Sequence, residues 1–229
     1  MSAELHGEAP RLLRDLSHAI VDGMPVYPGD PSVHVGAALT VGHDGVDVAE
    51  VRMGSHTGTH LDAPSHTIPG GRTMAEIALA ELYGEALVIR VDGLADGETY
   101  DWARLERSGA IPAVVPPIVV IDTGWARWFD DERRLRHPAL AASAARELVA
   151  RGMCVLAVDT LSPDPTGGEE FPVHEEVLGR DRLIVENLCG LEGLPSRVTI
   201  GFFPLKLGVD GAPVRAVAFL ADGDTLVRG

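Results

Sequence analysis

The segment spanning residues 55–66, SHTGTHLDAPSH, restricts the fold because it is dense in metal-binding side chains yet unsuited to a helix. It holds three of the nine histidines of the chain and one aspartate. The spacing of His56 and His60 would place both on one helical face, but Asp62 would then lie about 200° around the helix from His60. The glycine, the proline and the β-branched threonines of the segment also disfavour a helix.

An extended chain brings the same residues to one face but holds them far apart. His56, His60, Asp62 and His66 share one parity and therefore one side of a strand. At about 3.3 Å per residue, His56 and His60 would be about 13 Å apart, a long way for one ion. The chain must therefore curl between them, and Gly58 permits this. We predict a bent strand end or a tight loop that carries His56, His60 and Asp62.

The mixture of imidazole and carboxylate groups in this segment indicates a divalent metal. These groups together are the usual ligands of zinc or manganese. A lone histidine is more often an ordinary surface or core residue, but three at this spacing around an aspartate favour a metal site. We interpret the segment as the metal site of a hydrolase.

The composition limits the remaining function classes. The chain has 229 residues, which fits one large domain (residues 1–229) with a sizeable core. Its net charge of −15 argues against nucleic acid and anionic membranes as partners. Residues 1–8 lack the features of a signal peptide, and no apolar run approaches the length of a membrane span. We expect a cytoplasmic protein that acts on a small molecule. The surroundings of Cys154 favour a buried thiol over a disulfide with the distant Cys189.

The hydrophobic pattern predicts a mixed α and β chain with many loops. Apolar or alternating runs predict strands at residues 46–53, 86–91, 117–121, 153–158, 198–202 and 214–220, and residues 183–185 form a further strand-like apolar run. A capping box of Thr73 and Glu76 predicts a helix over 73–82. A second helix is predicted over 138–150, with proline in its first turn, Gly152 beyond its end and His137 at its entry. The fold class is therefore α/β or α+β, built in layers.

Later residues are available to complete a metal site. His174 follows the loop 162–168, and Glu186 directly follows an apolar run. A carboxylate at a strand end can reach a pocket, although solvation of the strand end is an alternative role. The proline-rich loop 24–31 is interpreted either as a cover over the site or as a rigid surface turn. No role is assigned to the remaining histidines or to Lys206; these histidines are His6, His18, His34 and His43.

Residues 56–66 resemble the His-x-Gly-Thr-His-x-Asp-x-Pro-x-His signature of the metal-dependent cyclase and bacterial kynurenine formamidase (arylformamidase) family. Four further segments are similar to motifs of that family: PVYPGD at 25–30, IDTGW at 121–125, VENL at 185–188 and PLKL at 204–207. Together they cover nearly the whole chain in the expected order. The resemblance implies a single-domain, swivelling β/β/α-type cyclase fold that assembles as a homodimer or homotetramer.

The resemblance also implies a two-metal centre, with zinc as the metal of the formamidases and manganese as the alternative. Asp62 would bridge the two ions, and His66 would be the catalytic histidine, near the ions but not bound to them. The implied metal ligands are His56, His60 and Asp62 for the first ion, and Asp62, His174 and Glu186 for the second.

The implied reaction is hydrolysis of the C–N amide bond of a small aryl formamide, as in the conversion of N-formylkynurenine to kynurenine and formate in tryptophan catabolism. The formamidases have tryptophan where this chain has Tyr27. Aromatic candidates for a substrate pocket are Tyr27, Trp125, Trp128 and Phe171. Two alternatives are open: a related hydrolase that opens a cyclic amide such as isatin or a lactone, and a metal-binding module without turnover. An unligated base at His66 favours an enzyme, since a storage or structural site does not need one.

Overall fold

Twelve strands and four short α-helices make up the described part of the chain. The computed structural model describes residues 12–220. The strands are β1 (Leu12–Asp15), β2 (His34–Leu39), β3 (Val48–Arg52), β4 (His60–Asp62), β5 (Tyr83–Arg90), β6 (Thr99–Tyr100), β7 (Ile118–Asp122), β8 (Ala139–Leu140), β9 (Val155–Val158), β10 (Leu183–Glu186), β11 (Arg197–Pro204) and β12 (Gly211–Leu220). The helices are α1 (Val41–Asp44), α2 (Trp102–Ser108), α3 (Ala142–Ala150) and α4 (Pro172–Leu178).

The main sheet has eight strands in the order β1-β12-β11-β5-β7-β9-β10-β4. Strands β5, β7, β9 and β10 run parallel to their neighbours within that group, while β11, β12, β1 and β4 pair antiparallel. Because β4 pairs with β12 as well as β10, the sheet closes on itself as a barrel. The three-residue strand β4 therefore links β10 to β12.

Both faces of the parallel strands are buried, which explains why they appear in the sequence as continuous apolar runs. Side chains of one parity, such as Val120 and Ala157, pack into the first core. Their sequence neighbours, such as Val119 and Leu156, pack on the other face against α2, α3 and α4. The predicted layered α/β fold is thus confirmed. Six of the predicted main-sheet strands are present as β5, β7, β9, β10, β11 and β12, within a few residues of the expected bounds.

The predicted helix over 73–82 is wrong. Two separate 3-10 turns stand in its place, Met74–Glu76 and Leu79–Glu81. The capping box is present, with the Thr73 amide donating to Glu76 Oε2 at 2.8 Å. Glu81 caps a second turn in the same way by accepting from the amide of Ala78 at 2.9 Å. Each cap stabilises the start of its own short turn. Ile77 and Ala78 between the two turns are extended, so no α-helix runs through this segment.

The second predicted helix begins later than expected. Residues 139–140 form the short strand β8, which pairs in parallel with β6, and α3 begins only at Ala142. The C-terminal end is as predicted, since Gly152 follows with a φ of 107°. His137 is therefore not at the helix entry. Its ring is buried, with Nδ1 donating to the Pro138 carbonyl at 3.0 Å and Nε2 lying 2.9 Å from Thr166 Oγ1.

The strand predicted over 46–53 is present as β3 but pairs only with β2, outside the main sheet. Cys154 is a free thiol, as predicted, but it is only partly buried. Among the described residues, no helix is both long enough and apolar enough to cross a membrane. Residues 1–8, from which the absence of a signal peptide was predicted, lie outside the described residues, as does the unassigned His6. The cytoplasmic location stays a prediction.

Candidate metal centre

Strand β4 carries two of the predicted ligands, and the neighbouring strand β10 carries a third. His60 is paired with Glu186 of β10, and Asp62 is paired with Gly211 at the start of β12. Alternate residues of a strand point to the same face, so His60 and Asp62 project together. Both side chains are buried.

The chain curls before β4, as predicted from Gly58. This glycine has a φ of 60°, which L-residues with a side chain rarely adopt. A Cβ atom at that position would also lie 3.1 Å from Cε of Met24. The turn returns His56 towards β4, so that the ring centroids of His56 and His60 are 5.0 Å apart.

A first group of three potential ligand atoms lies on the N-terminal side of Asp62. His56 Nδ1 is 2.7 Å from Asp62 Oδ1, and His60 Nε2 is 3.3 Å from the same oxygen. One nitrogen or oxygen of each of the three residues lies within 4.8 Å of the others. This is the set predicted for one ion.

A second group shares Asp62 and adds residues from α4 and β10. His174 Nε2 is 3.6 Å from Asp62 Oδ2 and 3.4 Å from Glu186 Oε1. The other Glu186 oxygen lies 3.3 Å from His60 Nε2, which links the two groups. All three residues of this group are buried. The structure thus brings together the five predicted ligands, with the two oxygens of Asp62 facing different groups.

The unsatisfied atoms of the cluster fit a divalent cation. Three of them are buried without a hydrogen-bond partner among residues 12–220: His60 Nε2, Asp62 Oδ2 and Glu186 Oε1. Buried polar atoms are rarely left unpaired, because burial without a partner costs free energy. Nitrogen and carboxylate donors at this spacing suit zinc or manganese. The residues present therefore form a site suited to a divalent metal.

In each histidine of the cluster, the outer ring nitrogen, which points away from the other ligand atoms, donates a hydrogen bond that holds the ring. His60 Nδ1 donates to the Gly58 carbonyl at 2.9 Å. His174 Nδ1 donates to Asp164 Oδ2 at 2.7 Å, and His56 Nε2 donates to Asp210 Oδ2 at 2.8 Å. Such contacts fix the tautomer and the ring orientation of metal-binding histidines. The inner nitrogen of each ring is thereby directed into the cluster.

The carboxylates of the cluster hold protons on the histidines when no metal is bound. Burial lowers the pKa of His56, but the charge of Asp62 and hydrogen bonds to Asp62 and Asp210 outweigh it and raise that pKa to about 8. Burial also lowers the pKa of His60 and His174, but the nearby carboxylates outweigh it and raise both pKa values well above the ordinary value. Burial raises the pKa of Asp62, but the adjacent histidines lower it well below its usual range.

Metal affinity is expected to increase with pH. A histidine binds a metal through a deprotonated nitrogen, so an ion must displace a proton from His56 below a pH of about 8. Since protons compete with the metal, affinity falls as pH falls, by up to about tenfold per pH unit for each proton displaced. Competition with a chromophoric chelator at pH 6.5, 7.5 and 8.5 measures this. An affinity that does not change over this range would contradict the protonation of these histidines in the metal-free protein.

Asp164 was not identified from the sequence, and its effect on metal binding can be measured. Its carboxylate is fully buried and also accepts from the amides of Val173 at 2.9 Å and His174 at 3.0 Å. In Asp164→Asn the negative charge is lost, and the new NH2 group must face the amide of Val173 or the two donors of His174, so the hold on the His174 ring is weakened. We expect metal affinity to fall by about 10–100-fold. The same chelator competition, compared with the wild type at one pH, tests this; an unchanged affinity would show that His174 needs no such support.

His66 lies beside the ligand groups but on a different element. It ends the 3-10 turn Pro64–His66 and donates from Nδ1 to Asp210 Oδ2 at 3.2 Å. Its ring centroid is 4.0 Å from that of His56 and 5.6 Å from that of His174. Ligand atoms of His66, His56 and Asp210 form a third close group, which is more exposed than the other two.

A cavity of about 410 Å³ opens onto the cluster. His56, His60, His66, His174 and Glu186 form its polar side. The loop predicted as a cover also lines the cavity, together with Leu161 and Phe171. Loop residues in the lining are Pro25, Val26, Tyr27, Pro28 and Asp30.

Two of the predicted aromatic pocket residues line this cavity, and two do not. Tyr27 and Phe171 are part of the wall, and the Tyr27 hydroxyl accepts from the amide of Gly167 at 3.2 Å. Trp125 does not line the cavity. Its ring is buried in a separate contact, with Nε1 donating to the Arg133 carbonyl at 3.3 Å and the Arg133 guanidinium 5.0 Å from the ring centroid. Trp128 packs on the same arginine.

The sequence of this chain matches the family model described as "Putative cyclase" over residues 14–165, more than half of its length. The chain belongs to the cyclase family.

Curated relatives of this cyclase are similar to it over nearly their full length. The kynurenine formamidase of Paracidovorax citrulli is 31% identical over 211 residues, which cover 91% of this chain and 96% of the relative. The kynurenine formamidase of Maricaulis maris is 29% identical over 209 residues, which cover 89% and 95%. These matches confirm the resemblance to the cyclase and kynurenine formamidase family.

Solved structures of similar proteins share the cyclase fold. A "predicted metal-dependent hydrolase" from Bacillus stearothermophilus aligns with a TM-score of 0.75 at 27% identity, covering 92% of this chain and 99% of that one. Isatin hydrolase A from Labrenzia aggregata aligns with a TM-score of 0.78 at 23% identity, covering 92% and 94%, which is a likeness of fold alone.

Proposed function

We propose that this cyclase is a metal-dependent amidohydrolase of the kynurenine formamidase type, which cleaves N-formylkynurenine to kynurenine and formate. The observation that carries the proposal is the pair of ligand groups sharing Asp62, open to a cavity in which His66 stands outside both groups. The names of the relatives that match across most of the chain support the substrate class. We further propose zinc as the metal, with manganese as the alternative, two ions per subunit and a homodimer or homotetramer.

The cavity suits a small molecule with one apolar and one polar end. Its volume of about 410 Å³ is within the common range of small-molecule sites, about 300–1,000 Å³. Tyr27 and Phe171 supply aromatic surface for an aryl group, and the histidine-rich side faces a formamide. In this arrangement the bond to be cleaved would lie beside the ligand groups.

The residues of the site have separable tasks in this hydrolysis. His56, His60, Asp62, His174 and Glu186 would hold the metal. A divalent ion supplies Lewis-acid polarisation of a carbonyl oxygen and makes water more acidic. His66 accepts a proton from the attacking water and returns it to the leaving amine. A carbon–oxygen bond forms at the formyl carbon, its carbon–nitrogen bond breaks, and the products are formate and the free arylamine.

Hydrolysis of N-formylkynurenine by the purified protein tests the proposal. The protein is stripped of metal, resupplied with zinc or manganese, and assayed with metal content recorded in parallel. We expect metal-dependent release of kynurenine and formate with a kcat/KM above about 10⁴ M⁻¹s⁻¹. Tight metal binding without this activity would show that N-formylkynurenine is not the substrate. Isatin assayed in the same way would then identify a ring-opening hydrolase by its single product, whereas no turnover of either would indicate a binding module. Failure to bind metal would overturn the whole site.

A further inference from the structure

Asp210 connects a proposed metal ligand to the proposed base through a single oxygen atom. Its Oδ2 accepts from His56 Nε2 at 2.8 Å and from His66 Nδ1 at 3.2 Å. Its other oxygen accepts from Ser55 Oγ at 3.0 Å. The side chain of Asp210 is 37% exposed and borders the cluster without belonging to either group that contains Asp62.

The backbone around Asp210 is fixed to the strand that carries the ligands. The amide of Ala63 donates to the Asp210 carbonyl at 2.8 Å, and the following Gly211 is paired with Asp62. A Cβ atom at Gly211 would lie 2.8 Å from Cε1 of His56 and 3.0 Å from the Leu61 carbonyl oxygen. Glycine is therefore required at 211 for the His56 ring to lie so close. These contacts hold the carboxylate in a defined place between the two rings.

A carboxylate in this position determines which nitrogen of each ring carries the proton. An ionised carboxylate only accepts hydrogen bonds, so both nitrogens facing it must carry hydrogen. Neutral His66 then has its proton on Nδ1 and leaves Nε2 free to accept a proton in the cavity. His56 likewise keeps its proton on Nε2. Its Nδ1, which lies 2.7 Å from Asp62 Oδ1, would be the nitrogen that gives up its proton to a bound metal.

We propose that Asp210 is a positioning residue, which holds His66 as the Nδ1–H tautomer with Nε2 available as the base and orients His56 with the same oxygen. This inference rests on the proposed function for the role of His66 as a base. The hydrogen-bonded arrangement itself does not depend on which substrate is hydrolysed.

The tautomer is measured without any substrate. Long-range ¹⁵N–¹H spectra of the zinc-loaded protein, recorded at a pH where the imidazole is neutral, distinguish protonated from unprotonated ring nitrogens. The His66 signals are identified by their loss in His66→Gln. We expect a protonated Nδ1 and an unprotonated Nε2 in the wild type. The opposite tautomer would overturn the proposal, even if N-formylkynurenine proves to be the correct substrate.

The kinetic test uses Asp210→Asn, which keeps the shape but supplies one accepting oxygen instead of two. In one orientation the amide presents its NH2 group to both rings, and in the other its oxygen is uncharged and a weaker acceptor than the carboxylate. In either orientation the hold on the two ring N–H groups is weakened or lost. At saturating zinc we expect kcat to fall by at least about 100-fold, the lower end of the range for general base catalysis, while KM changes less than threefold. The spectra of this variant should show a changed His66 signal. A wild-type kcat with an unchanged tautomer would refute the role.

The matched control is Asp22→Asn. Asp22 is an exposed carboxylate that accepts from His34 Nδ1 at 3.0 Å and from the amide of Val35 at 2.9 Å, away from the cavity. It therefore reproduces the loss of an aspartate–histidine pair without touching the site. We expect its kcat and the His66 signals to equal those of the wild type. An equal loss of kcat in both variants would assign the effect to general destabilisation and overturn the proposal.

Discussion

Asp62→Asn is expected to abolish hydrolysis and to weaken metal binding more than any other single substitution in the site. Asp62 is the residue that both ligand groups share, with Oδ1 2.7 Å from His56 Nδ1 and Oδ2 3.6 Å from His174 Nε2. Asparagine has nearly the same shape but no charge and only one oxygen. Both groups therefore lose part of their attraction for a cation.

The expected effect exceeds that of losing an outer partner such as Asp164. Substitutions of such partners cost about 10–100-fold in metal affinity, and we expect more than about 100-fold for Asp62→Asn. A bound metal contributes several kcal/mol to the transition state, so kcat/KM should fall by at least about 10³-fold at a fixed metal concentration. Chelator competition, metal analysis and the N-formylkynurenine assay measure these quantities. Retention of full metal content with wild-type affinity would remove Asp62 from the ligand set.

Asp159→Asn is the control for substituting a buried aspartate. Asp159 is also buried, and it accepts from the amide of Trp125 at 2.7 Å and from Thr123 Oγ1 at 2.7 Å. Burial raises its pKa to about 6, although hydrogen bonds from Thr123 oppose the rise. We expect the control to lose about 1–3 kcal/mol of stability and to keep its metal affinity. The comparison separates loss of a ligand from loss of a buried hydrogen-bond acceptor.

The parts of the site that could be predicted from the sequence are those encoded by neighbouring residues. His56, His60 and Asp62 fall within one short segment, and the curl between them follows from the glycine at 58. Asp210 is 154 positions from His56 and comes close only because β12 pairs with β4. Glycines flank Val209-Asp210, but nothing local in the sequence indicates what this segment approaches.

The errors in secondary structure have a similar origin. The apolar and capping pattern over 73–82 fits a helix, but a second local cap at Ala78 ends the first turn. Pro138 fits a helix start, yet the two residues after it pair with β6 and delay α3. At Ala78 the competing contact is a local cap from Glu81, whereas at residues 139–140 it is pairing with a distant strand; both stabilise a conformation other than the helix. The continuous apolar runs were predicted well because burial on both faces of a parallel strand leaves little alternative.

His66→Ala is expected to keep the metal and to lose nearly all turnover. His66 is not in either ligand group that contains Asp62, and its side chain is 31% exposed at the cavity. General acid–base catalysis contributes about 10²–10⁴-fold, so we expect kcat to fall by that factor with metal affinity within a few-fold of the wild type. Added imidazole should restore part of the lost activity, because the deleted ring leaves space beside the cavity.

The corresponding control is His34→Ala, which removes an exposed histidine hydrogen-bonded to Asp22 outside the cavity. It should leave kcat, metal affinity and the response to imidazole unchanged. Loss of metal together with activity in His66→Ala would instead make His66 a ligand, held with His56 and Asp210 in the third close group. Full activity in His66→Ala would require another base. The carboxylates that line the cavity are Asp30 and Glu186. Glu186 belongs to a ligand group and has one buried oxygen unpaired among the described residues, so it is the first candidate to replace His66.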